Sequence, residues 1–185
     1  ASRQRGYFTA TQALQAGYSY QAQQFHRQRG NWTQIDRGIY RFREYLDLPS
    51  QDTDHFVRWS LWGRGRAVVS HTSALAAHDL GIANPAEIHL TVPSSFRQKD
   101  SAVVLHRCEL AETDVEQHEG FRVTTPLRAA VEAVASGADQ DAIDSAVAEL
   151  LDRGATSHRR LLHAAQKLGP QAELAVERAL RAEPG

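Results

Sequence analysis

One stretch, Gly17 to Phe42, constrains this chain more than any other: GYSYQAQQFHRQRGNWTQIDRGIYRF. Turn signals bound a short polar helix, and a tight hairpin follows. Ser19 can cap a helix from Tyr20 to Gln28, since its hydroxyl accepts an otherwise unpaired N–H of the first turn. Gly30 can end that helix in a left-handed conformation. Trp32, Thr33, Gln34 and Ile35 favour a strand, Asp36-Arg37-Gly38 a turn, and Ile39-Tyr40-Arg41-Phe42 a second strand. Upstream, Thr11 to Ala16 reads as a short helix closed by Gly17, and residues 7–10 as a strand that can pair with the hairpin. Helix, turn, helix, hairpin is the order of a winged helix-turn-helix, in which the second helix reads DNA and the hairpin forms the wing. Only Ala1 to Gly6 stand where a winged helix usually carries one more helix, so that helix is expected to be missing, displaced or supplied from elsewhere.

The charge of this stretch fits a polyanion. Residues 1–45 hold seven arginines (Arg3, Arg5, Arg27, Arg29, Arg37, Arg41, Arg43) against Asp36 and Glu44, a net +5, while the other 140 residues carry −6. Such asymmetry points to a nucleic-acid partner better than the overall charge of −1 does. Ser19, Tyr20, Gln23, Gln24, Arg27, Gln28 and Arg29 on the helix, with Arg37, Arg41 and Arg43 around the hairpin, are the expected DNA-binding residues. Gln pairs well with adenine, and Arg with guanine or phosphate. On this reading the arginines carry affinity and the glutamines carry sequence choice, with Ala22, Phe25 and Tyr18 facing inward.

At 185 residues, with 42% hydrophobic content and three Trp, the chain is long enough for one or two small domains with a real core. No apolar run is long enough to span a membrane. A single cysteine, Cys108, excludes an internal disulfide. A cytoplasmic location is expected, and the absence of Met at position 1 points to a processed or trimmed start.

Beyond the hairpin, residues 46–53 (LDLPSQDT) read as a linker and the domain boundary. Asp54 to Trp62 is helical by the spacing of its aromatics. Ala67 to Ser70 is a short strand, and Ser70 or Thr72 caps a helix that Gly81 closes. Glu87 to Val92, Ala102 to His106 and Phe121 to Thr124 are strands. Thr125-Pro126 starts a helix to Ala135. Gln140 to Leu151, His158 to Leu168 and Gln171 to Ala182 complete an Ala/Leu-rich helical array. The expected fold class is therefore α+β: a winged helix-turn-helix over residues 1–46, then a mixed α/β domain over 54–185 ending in that array.

GYFTATQALQAGYS, RGNWTQIDRGIYRF, VVSHTSALAAHDLG, PAEIHLTVP and RVTTPLRAAVEAVA, in this order across about residues 6 to 155, resemble the AbiEi-type antitoxins of type IV toxin–antitoxin systems. The resemblance implies a winged-helix N-terminal domain and a mixed C-terminal domain. It also implies repression of the protein's own operon at repeated operator half-sites, with a possible homodimer on DNA, and counteraction of a nucleotidyltransferase-type toxin. The family's DNA-reading helix falls on Ser19 to Arg29 and its wing on Trp32 to Phe42. Two other modes stay open: an enzyme that modifies the toxin, for example by serine phosphorylation, and a protein-binding antitoxin without DNA binding.

Nine histidines invite a metal reading. His71 and His78 lie near one helical face, and His89 and His106 on strands. No HExxH spacing and no Cys pair supports them, so core or cap histidines are the preferred reading, with His71, directly after Ser70, expected to hydrogen-bond the helix start. No cofactor, metal or catalytic residue is expected. No phosphate loop or kinase triplet is present, and Gly63-Arg64-Gly65-Arg66 reads as an exposed turn. The acids Glu109, Glu112, Asp114, Glu116 and Glu119 read first as solvated charge and second as a surface that meets a basic toxin; the pair Arg159-Arg160 reads first as solvated charge and second as a DNA or partner contact.

Overall fold

The structure, a computed structural model, describes residues 2–48, 53–82 and 85–182. Within these the chain is α+β, with two sheets, and forms two compact units: residues 1–67 with 117–121, and 68–116 with 122–185.

The first unit begins with β1 (Tyr7–Thr9), α1 (Ala10–Gln15) and α2 (Tyr20–Gln28), and continues through the hairpin β2 (Trp32–Asp36) and β3 (Ile39–Phe42). The sheet order is β1-β3-β2, all antiparallel, with Phe8 opposite Tyr40 and Trp32 opposite Phe42. Thr9 ends β1 and starts α1 through a reciprocal capping box with Gln12 (2.9 and 3.1 Å). Alternation along the strands puts Phe8, Trp32 and Tyr40 on one face, where they bury with Ala13 into a small aromatic core. Gly6 has a φ of +78°, and a Cβ there would lie 2.3 Å from the Tyr45 ring, so only glycine lets β1 pass that ring.

Two short helices follow, α3 (Arg43–Leu46) and α4 (Asp54–Trp62). The expected linker does not mark the division of the chain. Pro49 to Asp52 lie outside the described residues, but α4 belongs to the first unit. Asp54 accepts a 2.8 Å hydrogen bond from Arg41, and Arg58 gives one of 2.8 Å to Asp36, so charge pairs join α4 to the hairpin. The unit's first run of chain ends at Ala67, beyond the expected boundary.

The second unit contains β4 (Val68–Val69), α5 (His71–Ala77), β5 (Ile88–Val92), β6 (Val103–Arg107), β7 (Val115–His118), β8 (Phe121–Thr124) and four long helices. Its sheet has the order β6-β5-β4-β8-β7, with β5 parallel to β6, and β4 antiparallel to β5 but parallel to β8. The outer end of the β7–β8 hairpin, Gln117–Phe121, groups with the first unit. Strand β7 was not expected, because its Val-Glu-Gln-His sequence sits inside what reads as an acidic surface run. Helix α5 starts at His71 rather than Thr72, with Ser70 as cap residue.

The remaining helices are α6 (Pro126–Ala135), α7 (Gln140–Asp152), α8 (His158–Leu168) and α9 (Pro170–Ala182). Thr125, Asp139 and Ser157 each accept a backbone N–H at the start of α6, α7 and α8, as their residue types predict. Val131, Ile143, Val147, Leu161, Ala165, Val176 and Ala179 bury together between these helices, the alanines permitting close approach. Gly81, at φ +61°, leads out of the α5 turn; a Cβ there would lie 2.8 Å from the Ala146 backbone of α7.

Candidate nucleic-acid interface

Helix α2 is fixed at its start by two devices. Ser19 Oγ accepts the Ala22 N–H at 3.2 Å. Gln23 Nε2 donates to the carbonyls of Ala10 (3.3 Å) and Tyr18 (3.1 Å), tying α2 to the start of α1. At its far end His26 stacks on Trp32, centroids 4.8 Å apart, and its Nδ1 lies 3.1 Å from Asn31 Nδ2. These contacts set which face of α2 is turned to solvent.

Tyr20, Gln24, Arg27 and Gln28 lie on the exposed face, at helical spacings of four, seven and eight from Tyr20, and form one stripe. Gln21 and Phe25 flank it. Arg29, just past the helix, places its guanidinium 5.1 Å from the Phe25 ring centre. Arg37 at the hairpin tip and Arg43 at the start of α3 are also exposed. The one acid of the hairpin, Asp36, is paired with Arg58, and that hydrogen bond holds its carboxyl below the ordinary range. The exposed stripe is polar and cationic, and the carboxylate of the hairpin is already partnered.

Two expected site residues are not part of this surface. Gln23 is 4% exposed, and both of its amide hydrogens go to backbone carbonyls, so it has no donor left for a base edge. Arg41 is 9% exposed. Its Nε donates to the Arg5 carbonyl (3.2 Å), its Nη2 to Asp54 (2.8 Å), and its guanidinium lies over the Tyr7 ring. It is a structural cation. Phe25 makes the converse correction: expected inside, it is 51% exposed. A buried glutamine and an exposed phenylalanine reverse the usual polarity rule, so hydrophobic periodicity alone misplaces the helix face.

No protein-family model matches the chain, and no curated protein matches it. Among solved structures, the crystal structure of the RV2827C protein from Mycobacterium tuberculosis is similar, with a TM-score of 0.53 and 16% identity over 97% of this chain and 77% of that one. At that identity the likeness concerns the fold.

The second unit holds a polar cluster in which Ser70, His71, Thr91 and Glu132 are buried and His89 and His106 half-buried. It brings together three of the four histidines named from the sequence: His71, His89 and His106. His71 and His106 stack with centroids 3.5 Å apart, and His89 Nδ1 lies 3.0 Å from His106 Nε2. His71 Nδ1 meets Ser70 Oγ at 2.9 Å, and Thr91 Oγ1 donates to that same oxygen at 2.8 Å. Burial first, then the neighbouring imidazoles, pushes His71 down to about 3 and His106 to about 4. Burial pushes the Glu132 carboxyl up, against the opposing pull of Arg128. Glu132 Oε1 accepts from Arg128 at 2.7 Å, while buried Oε2 has no hydrogen-bond partner and lies 3.8 Å from His71 Nδ1. The serine and the carboxylate thus approach the same ring nitrogen. A nucleophile–base–acid relay needs them on opposite nitrogens, and Ser70 is fully buried. His78 is apart from this group, with Nε2 2.7 Å from the Thr124 carbonyl.

Proposed function

We propose that this protein is a sequence-selective duplex-DNA-binding regulator whose N-terminal unit is a winged helix-turn-helix. In this reading α2 enters the major groove and the β2–β3 hairpin is the wing. The observation that carries it is the exposed stripe Tyr20, Gln24, Arg27 and Gln28 on a helix anchored by buried Gln23 and by His26. Glutamine and arginine on such a stripe supply the donor and acceptor pairs that distinguish bases, while Arg29, Arg37 and Arg43 supply phosphate contacts. The expected site therefore loses Gln23 and Arg41. Ser19 stays in it through its exposure at the helix start.

The likeness of the five sequence segments to AbiEi-type antitoxins extends the proposal to the protein's own operon and to antagonism of a nucleotidyltransferase-type toxin in the cytoplasm. The test is fluorescence anisotropy with a labelled duplex from the gene's upstream region, against a scrambled duplex, at two salt concentrations. Tight, salt-dependent and selective binding by the wild type is expected. Arg27→Ala is expected to weaken it and to lower the salt slope by about one unit. Equal weak binding to both duplexes would refute the sequence-selective reading.

A further inference from the structure

Helix α8 carries a charged face that the reading of α2 leaves unused. At about 100° per residue, Arg159, Arg160, His163, Gln166 and Lys167 fall within an arc of about 120°, and all five are exposed. The helix contains no acid at all. Its opposite side, Leu161 and Ala165, is fully buried in the helical core, so the charged face is fixed outward. Among the described residues, Arg159, Arg160 and Lys167 form no ion pair. The neighbouring helices differ: α7 carries Asp141, Asp144, Glu149 and Asp152, and α9 mixes Glu173 and Glu177 with Arg178 and Arg181.

A second copy of the chain is a weaker complement. Between β6 and β7, Asp114 pairs with Arg128 (3.3 Å), Glu109 accepts from the Ser94 amide (3.2 Å) and exposed Glu112 lies 3.3 Å from Arg122; on α7, Glu149 pairs with Arg153 and Asp144 accepts from Gln140 (2.7 Å), which leaves Asp141 and Asp152 as the exposed acids of that helix. The face therefore fits an external polyanion. Arg159 and Lys167 are separated by about 12 Å along the helix axis, and duplex DNA presents one negative charge per ~1.7 Å of its axis. A stripe of that length spans several phosphates.

We propose that this face of α8 contacts the phosphate backbone of duplex DNA, as a second, sequence-independent contact in the second unit. The choice of DNA as the polyanion rests on the reading of α2; the geometry of the face does not. The phosphates pair with Arg159, Arg160 and Lys167, and the contact adds affinity without selectivity.

The test uses the full chain and the variant Arg159→Gln/Arg160→Gln/Lys167→Gln, which alters only solvent-facing positions. Binding to the upstream duplex and to its scrambled form is titrated across a KCl series, beside Arg27→Ala and a labelled poly-glutamate. The triple variant is expected to lose nearly three units of slope in log K against log salt, equally on both duplexes, with its preference between them kept. An unchanged slope in the triple variant, with a reduced one in Arg27→Ala, would overturn the α8 contact and leave the α2 reading intact. A reduced slope in the triple variant with Arg27→Ala unaffected would uphold α8 and overturn α2. Tighter binding of poly-glutamate than of duplex, lost in the triple variant, would reassign the face to an acidic protein and overturn the DNA contact.

Discussion

Arg41 and Asp54 form a buried ion pair 2.8 Å long, 13 residues apart in sequence. Arg41 sits in the middle of the sheet's central strand, and Asp54 opens the helix α4. Arg5 adds a second contact to the same carboxylate at 3.7 Å. Both partners of the main pair have side chains about one-tenth exposed, so neither can recover its solvation if the other is removed. An arginine that composition assigns to DNA is thereby assigned to the fold.

Removal of one partner leaves an uncompensated charge in a low-dielectric site. Arg41→Ala is expected to lower the stability of the first unit by about 3–5 kcal/mol. Urea unfolding followed by tryptophan fluorescence, with Trp32 and Trp59 both buried in this unit, measures it. A loss below about 0.5 kcal/mol, the range of ordinary surface substitutions, would refute the structural assignment.

Adjacent glutamines separate fold from recognition. Gln23→Ala leaves the Ala10 and Tyr18 carbonyls without their donor and is expected to cost about 1–3 kcal/mol of stability. Gln24→Ala touches nothing inside and is expected to stay within about 0.5 kcal/mol, yet to lose about 1–3 kcal/mol of discrimination between the upstream and scrambled duplexes. Paired unfolding and anisotropy measurements decide it. If Gln23→Ala is neutral for stability, or Gln24→Ala leaves selectivity unchanged, the corresponding role falls.

The elements of this chain were legible where caps and turn residues carry local physics. Ser19, Thr125 and Ser157 cap the helices their sequences announce, and the hairpin closes at Arg37-Gly38. The phase of α2 was not legible. Gln23 turns inward because its amide donates to the Ala10 and Tyr18 carbonyls, contacts that exist only once α1 and α2 are packed. The end of the first unit was hidden for a related reason. Pro49 and Ser50 read locally as a linker, while the Arg41–Asp54 and Arg58–Asp36 pairs that bind α4 to the hairpin act over sequence distance. The histidine cluster was legible as residue types but not as a group, because β5 and β6 bring Thr91 opposite His106 only through their parallel register.

That cluster predicts how the second unit responds to acid. His71, His89 and His106 all have folded pKa values below the unfolded value of 6.5, to about 3 for His71 and about 4 for His106, so the unfolded chain binds their protons first. Stability is therefore full above pH 6.5 and falls as pH drops from there towards 4. Glu132 acts in the opposite sense: its raised pKa makes the folded state take up a proton earlier, which offsets part of the loss near its own titration. Between pH 6.5 and 5 carboxylates of ordinary pKa remain ionised, so the decline there reports the histidines, opposed by Glu132. His106→Phe keeps a ring stacked on His71 and removes one titrating group, so it is expected to flatten the decline of Tm over that range. Thermal unfolding followed by circular dichroism at pH 7, 6 and 5 measures the slope. An equal slope in wild type and His106→Phe would mean that the stacked imidazoles do not govern the acid sensitivity of this unit.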